Sequence, residues 1–167
     1  MRSNLNCPDV FLSLGSNLAD REENLRVALR KLEEHGLRLL RCSAYYETEP
    51  VEVTDQPFFL NLVCQVQPPA SAEALLVICQ DVEREMGRNR KRPKGPRNID
   101  VDILFYGNRV IRLSHLTIPH PALYRRNFVL IPLEEIAPTF QDPVSRKTVR
   151  QLGWLCTDPC RVTLHLG

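Results

Sequence analysis

The ten residues FFLNLVCQVQ (58–67) alternate without a break. Phe58, Leu60, Leu62, Cys64 and Val66 take one face; Phe59, Asn61, Val63, Gln65 and Gln67 take the other. Only an extended chain has a side-chain period of two, so this segment belongs in a sheet. On both sides of it the period changes to that of a helix. Residues 16–36, SNLADREENLRVALRKLEEHG, carry a capping-box signature in Asp20 and Glu23, an apolar stripe of Leu25, Ala28, Leu29 and Leu32, and a stop at Gly36. Residues 71–87, SAEALLVICQDVEREMG, form a second amphipathic helix from Ser71 to Gly87.

Further strands read from DVFLSLG (9–15), from LRLLRCSAYYET (37–48) and from Ile99 to Tyr106. Gly107-Asn108 is a hairpin turn leading into RVIRL (109–113). EPVEVTDQP (49–57) reads as an irregular loop, and the proline-rich remainder as short helices and loops. The order β-α-β-β-α-β-β with short links predicts an α+β sandwich, with helices packed on a mainly antiparallel sheet. No linker divides residues 1–167, so a single domain is expected, long enough for a core without disulfides or structural metal.

A formal net charge of +2 is too small for a general nucleic-acid binder. Among the six cysteines, Cys42, Cys64 and Cys79 have apolar neighbours and read as small core residues. Cys156 and Cys160 have no second Cys or His pair to complete a zinc pattern, which favours a reduced, cytoplasmic protein. The start, MRSNLNCPDVFLSLGSN, lacks an apolar run of signal-peptide length, and nothing approaches the roughly 20 apolar residues of a membrane span.

Chemistry concentrates in GPRNIDVDILFYG (95–107). Residues i and i+2 of a strand face the same way, so Asp100 and Asp102 project together, roughly 7 Å apart by strand rise, while Ile99, Val101 and Ile103 point to the core. Two such carboxylates are either the wet face of an edge strand or the holders of a cation, for which Mg²⁺ is the natural candidate. The preceding loop holds six cations, Arg88, Arg90, Lys91, Arg92, Lys94 and Arg97, and no acid. A run of this kind is a solvated surface or a nucleic-acid patch; beside metal-binding carboxylates it suits a polyphosphate. Phe59 with Asn61 at i+2 suits either packing under a loop or the stacking and hydrogen bonding of a flat heterocycle. Phe128 and Arg126 share that ambiguity, and His120, between two prolines, is either a phosphate donor or an ordinary loop residue. No Walker A sequence, protein-kinase motif set, nucleophile elbow, zincin helix or dinucleotide fingerprint is present.

Four stretches in order, LSLGSNLADREENL, DQPFFLN, GRNRKRPKGPRNIDVDILFYG and LTIPHPALYRRNFVLIPLEEIAP, resemble the 6-hydroxymethyl-7,8-dihydropterin pyrophosphokinases of folate synthesis. The resemblance covers most of residues 10–140 and implies a ferredoxin-like fold with an added hairpin. It implies Mg²⁺-dependent transfer of diphosphate from ATP to the pterin hydroxymethyl oxygen, releasing AMP, by a monomer acting on small molecules. Carried across, Asp100 and Asp102 match the holders of two Mg²⁺ ions, and Arg88 and Arg97 the arginines on the phosphates. Phe59 and Phe128 match the rings that sandwich the pterin, and Asn61, Thr48 and Val51 its hydrogen-bonding edge. Glu83, Arg90, Lys91, Leu116, Thr117, His120 and Arg126 match the nucleotide side. Lys94 stands where relatives often carry an aromatic, and Glu49 where a proline is frequent. Residues 141–167 align with no motif and are expected only to pack. The rival reading is a non-enzymatic nucleic-acid module that uses the basic loop with Phe59 as a stacking platform.

Overall fold

The computed structural model describes residues 8–51, 53–87 and 95–167. The elements run β1 (Val10–Ser16), α1 (Arg21–Glu34), β2 (Arg38–Cys42), β3 (Tyr46–Thr48), β4 (Phe59–Gln67), α2 (Ala72–Glu85), β5 (Asp100–Tyr106), β6 (Ile111–Arg112) and β7 (Thr117–Ile118). After a 3-10 turn at Leu123–Arg125 come α3 (Asn127–Ile136), α4 (Val149–Leu155) and β8 (Val162–Leu164). The main sheet has the order β5-β1-β4-β3-β8, β2 pairs with β4 beyond β3's reach, and every pairing is antiparallel. This is the α+β arrangement that the element order predicts.

Local chemistry sets the helix ends. The Asp20 carboxylate accepts from Glu23 N and Ser71 Oγ from Ala74 N, each satisfying a first-turn amide. Gly36 and Gly87 follow the two helices at φ of +88° and +75°, in the left-handed region where glycine avoids a side-chain penalty. Helix α1 begins at Arg21, directly after the Asp20 cap that the sequence marks.

Both faces of the sheet are covered. Leu12, Leu14, Leu62, Cys64, Val101 and Ile103 pack on one side against Leu25, Ala28 and Leu32 of α1 and Leu75, Cys79 and Val82 of α2. On the other side Phe11, Val63, Leu104 and Phe105 meet Val129, Leu130 and Leu133 of α3 and Val149 and Leu152 of α4. Phe140 closes this second core, edge-on to Phe11 at 5.1 Å and tilted over Phe105 at 4.9 Å. The face that looks polar along β4 is therefore half covered, and Val63 on it is fully buried.

Four expectations need correction. The strand expected over 37–48 is broken into β2 and β3, because side chains take over the backbone groups between them. Ser43 Oγ accepts from Val63 N and donates to Ala44 O, while the Glu135 carboxylate accepts from Ala44 N. The turn at Gly107-Asn108 forms, but β6 pairs with β7 instead of β5. The outer edge of β5 is already used, since His120 N donates to Leu104 O. Cys64 and Cys79 are core residues as expected, whereas Cys42 is exposed on β2 at the margin of the sheet. The C-terminal tail does more than pack, since β8 extends the sheet beside β3.

Replacing Phe105 with Ala should lower unfolding free energy by about 3–5 kcal/mol, whereas Trp154→Ala, at a side chain 75% exposed, should stay within about 0.5 kcal/mol. Urea denaturation of both variants checks this.

Candidate active site

Strand register builds the site. Gly15 on β1 lies opposite Asp100 on β5 and opposite Asn61 on β4, and Asn61 in turn lies opposite Tyr46 on β3. One step along, Ser13 lies between Asp102 and Val63. Asp100, Asp102, Gly15, Ser13, Asn61 and Phe59 thus share the face that α3 and α4 cover only in part. Where that cover stops, a cleft open to solvent appears. Its lining joins Thr48, Val51, Phe59, Asn61 and Phe128 to Arg97, Asp100, Asp102 and Arg126, with Ser13, Gly15, Glu49, Val53 and Gln56 completing the wall.

Gly15 is the floor. A Cβ there would sit 2.6 Å from Asn61 Oδ1, well inside contact distance. Asn61 is buried, and its Nδ2 donates to Thr48 Oγ1 at 2.7 Å, which fixes both side chains on the sheet. Each aromatic carries an arginine on its ring face: Arg97 lies 5.2 Å from the Phe59 centroid, and Arg126 5.5 Å from that of Phe128.

Arg97 is also held against Asp100, with Nε 2.8 Å from Oδ2. The distance is that of a hydrogen bond, yet Nε has no aligned acceptor among the described residues, so the contact is an ion pair by proximity. The backbone of Arg97 is clamped more firmly. Its N–H donates to Asn17 Oδ1 at 2.9 Å, while its carbonyl accepts from Asn17 N. The other end of the Asn17 amide donates to Gln56 Oε1 and Pro57 O. One buried side chain therefore ties the GPR segment to the loop that leads into Phe59.

Of the remaining candidates, His120 lies just beyond the cleft wall, its Nε2 4.0 Å from Asp102 Oδ1. Ala122 N donates to its Nδ1, so the neutral ring carries its proton on Nε2, facing the carboxylate. Burial, reinforced by the Arg126 charge, lowers the His120 pKa from 6.5 to about 4. Glu83 is not on the cleft wall; it is buried behind β5 and accepts from Val101 N, midway between the two aspartates. Leu116 is buried beside β7, and Thr117 is exposed on it; neither lines the cleft. Arg88, Arg90 and Lys91 lie outside the described residues.

A family model for 7,8-dihydro-6-hydroxymethylpterin-pyrophosphokinase (HPPK) matches residues 11–138. The chain belongs to this family. It is 38% identical over 144 residues to the 2-amino-4-hydroxy-6-hydroxymethyldihydropteridine pyrophosphokinase of Bacillus subtilis, covering 86% of each chain. It is 43% identical over 136 residues to the folic acid synthesis protein fol1 of Pneumocystis carinii, covering 81% of this chain. That match spans only 18% of the fungal protein, so the chain corresponds to about a fifth of that relative's length. Among solved structures, an HPPK-DHPS in complex with substrates aligns with a TM-score of 0.70 at 16% identity, over 89% of this chain and 43% of that one. The fold is that of the ferredoxin-like HPPK domains, and the β6–β7 pair is its added hairpin.

Sequence reasoning did not single out Ser13, Gly15, Asn17 or Gln56. Gly15 closes the sequence pattern DVFLSLG, where a glycine reads as a stop, and only the extension of β1 to Ser16 puts it inside a strand. Asn17 gave no comparable signal, because its partners are 39 to 80 residues away.

Gly15→Ala should push Asn61 off Thr48 and cost about 1–3 kcal/mol of stability, measured by urea denaturation. His120 gives a pH test. The unfolded imidazole takes a proton near 6.5 and the folded one near 4, so the unfolded state binds more protons between these values. Stability of the free protein should then fall as pH drops through this window, and His120→Asn should flatten that decline in melts across the same range.

Proposed function

We propose that this chain transfers diphosphate from ATP to the hydroxymethyl oxygen of 6-hydroxymethyl-7,8-dihydropterin, releasing AMP, in folate synthesis. The observation that carries the reading is the row Asp100–Gly15–Asn61 across β5, β1 and β4. Two strand spacings, roughly 10 Å, separate the carboxylates from the buried amide, which suits a bicyclic ring lying across the glycine floor. Phe59 and Phe128 bound that space and offer flat faces for stacking, while Asn61, with Thr48 and Val51 nearby, supplies the polar edge.

The donor set fits Mg²⁺ arriving with the nucleotide. Asp100 and Asp102 are hard oxygen ligands on one strand face, and among the described residues no group of three or more acidic, His or Cys side chains forms a complete cage. A shell of two carboxylates must be completed by water and phosphate oxygens, and the bound ions would neutralise the triphosphate and polarise its β-phosphorus. Asp102 and Asp100 would hold two such ions. Asp100 already sits against Arg97, so the guanidinium is placed to meet negative charge at the same spot. Glu83 steadies the intervening Val101 amide from behind.

In this reading the pterin oxygen attacks the β-phosphorus in line with the departing AMP. The protein's own part is positioning and charge neutralisation, which suffice where the transition state is loose. Arg97 counters charge on the transferred group, and Arg126 and His120 stand toward the nucleotide; Leu116 and Thr117, off the cleft wall, and Arg88, Arg90 and Lys91, outside the described residues, are assigned to the phosphates and nucleotide by the family resemblance alone. The enzyme works as a cytoplasmic monomer. A nucleic-acid platform is less well supported, since Phe59 faces into a cleft under Arg97 rather than out from an open sheet.

The deciding assay supplies ATP, Mg²⁺ and the hydroxymethyl pterin and identifies the nucleotide product. AMP is expected; ADP would mean ordinary kinase chemistry, and no product would end the proposal. Asp102→Ala should retain pterin binding while turnover falls by at least about 100-fold, comparable to losing a principal electrostatic group. Near-normal rates at saturating Mg²⁺ would refute its metal role. Phe128→Ala should weaken pterin binding by about tenfold with little change in ATP affinity, as titration calorimetry would show.

A further inference from the structure

We infer that residues 156–164 form a brace that sets the separation of the two pterin-facing walls, with Asp158 as its positioning residue. This inference rests on the pterin reading of the cleft. The segment lies beyond residues 11–138, the part of the chain matched by the family model.

One wall is the start of α3, which carries Phe128 and follows Arg126. The helix has no side-chain cap of its own: Arg126 occupies the N-cap position and makes no capping hydrogen bond. Asp158 supplies the cap from 31 residues further along the chain. Its Oδ2 accepts from Asn127 N at 2.8 Å, and its carbonyl accepts from Asn127 Nδ2 at 2.9 Å. The carboxylate is oriented by its second oxygen, which accepts from Cys160 N at 3.0 Å. Negative charge at a helix N-terminus is stabilising, so this contact fixes where α3 begins and therefore where Phe128 stands.

The other wall is the end of β3 and the chain after it. Strand β8 pairs with β3, placing Val162 opposite Thr48, Thr163 opposite Glu47 and Leu164 opposite Tyr46. Cys160 Sγ donates to Glu49 O at 3.4 Å, and His165 N to Tyr45 O at 2.9 Å. Thr48 is in turn the ladder partner of Phe59. The tail therefore grips the Phe128 wall at Asp158 and the Thr48–Phe59 wall at Cys160 and Val162. Val162 lies four positions after Asp158, a length of chain that can span at most about 14 Å. A link that short converts the position of β3 into the position of α3.

The test uses the full chain with Asp158→Ala and Asp158→Asn. Amide hydrogen exchange without ligand reads the brace directly: Asp158→Ala should speed exchange at Asn127 and Phe128. Calorimetry with the hydroxymethyl pterin, and steady-state kinetics, read its effect on the pocket. For Asp158→Ala the pterin Kd and KM should rise by roughly fivefold, the effect of one lost cap, with ATP KM and kcat within about twofold of wild type. Asp158→Asn keeps an oxygen acceptor and should recover most of the pterin affinity. Faster exchange with unchanged pterin affinity would overturn the inference, as would equal losses for pterin and ATP, the pattern of general loosening. A wild-type protein that binds no pterin would defeat the functional reading itself, a result visible before any variant is compared.

Discussion

The antiparallel register of β1 against β4 and β5 is the constraint from which the rest of the molecule follows. With Gly15 between Asp100 and Asn61, the apolar residues Leu12, Leu14, Leu62, Val101 and Ile103 all fall on the side covered by α1 and α2. A slip of one residue in β5 would turn Asp100 and Asp102 into that core and bring Val101 and Ile103 to the cleft. Burying two unpaired carboxylates costs far more than any compensating contact returns. The packing that stabilises the sheet is therefore the same packing that aims the aspartates, and site geometry comes with the fold.

The second face is built differently at its two ends. At one end Phe11, Phe105 and Phe140 interlock beneath α3 and α4. At the other, small or polar residues, Ser13, Gly15, Asn61 and the aspartates, leave space that the helices do not fill. The boundary between core and cleft is thus a change of side-chain size along single strands. Hydrogen bonds then stiffen the open end: Asn61 to Thr48, Asn17 to the Arg97 and Pro57 segments, and Asp158 to the start of α3. The charges around the cleft are likewise positioned by neighbours, Arg97 against Asp100 and over Phe59, Arg126 over Phe128.

Much of this was legible in the chain. Capping at Asp20 and Ser71, the glycine stops, and the alternation of β4 and β5 depend on residues only a few positions apart, and they appear where local chemistry puts them. The pairing of Asp100 with Asp102, and of Phe59 with Asn61, follows from the same short-range geometry. What sequence reading misjudged involves distant partners. The break at Ser43–Tyr45 depends on Glu135, the fate of β6 on His120 occupying the edge of β5, and the exposure of Cys42 on β2 lying at the margin of the sheet.

By itself, then, the sequence determined the two long helices with their ends, the alternating strands β4 and β5, and the residue pairs that can act together, because periodicity and capping operate over a few bonds. Tertiary structure alone decided that Gly15 is a floor, that Asn17 joins two loops, and that a tail without recognisable motif holds α3 and β3 together. Those roles arise from contacts between residues from 31 to more than 110 positions apart. No local pattern encodes such a contact; it exists only once the strands have chosen their neighbours and their register.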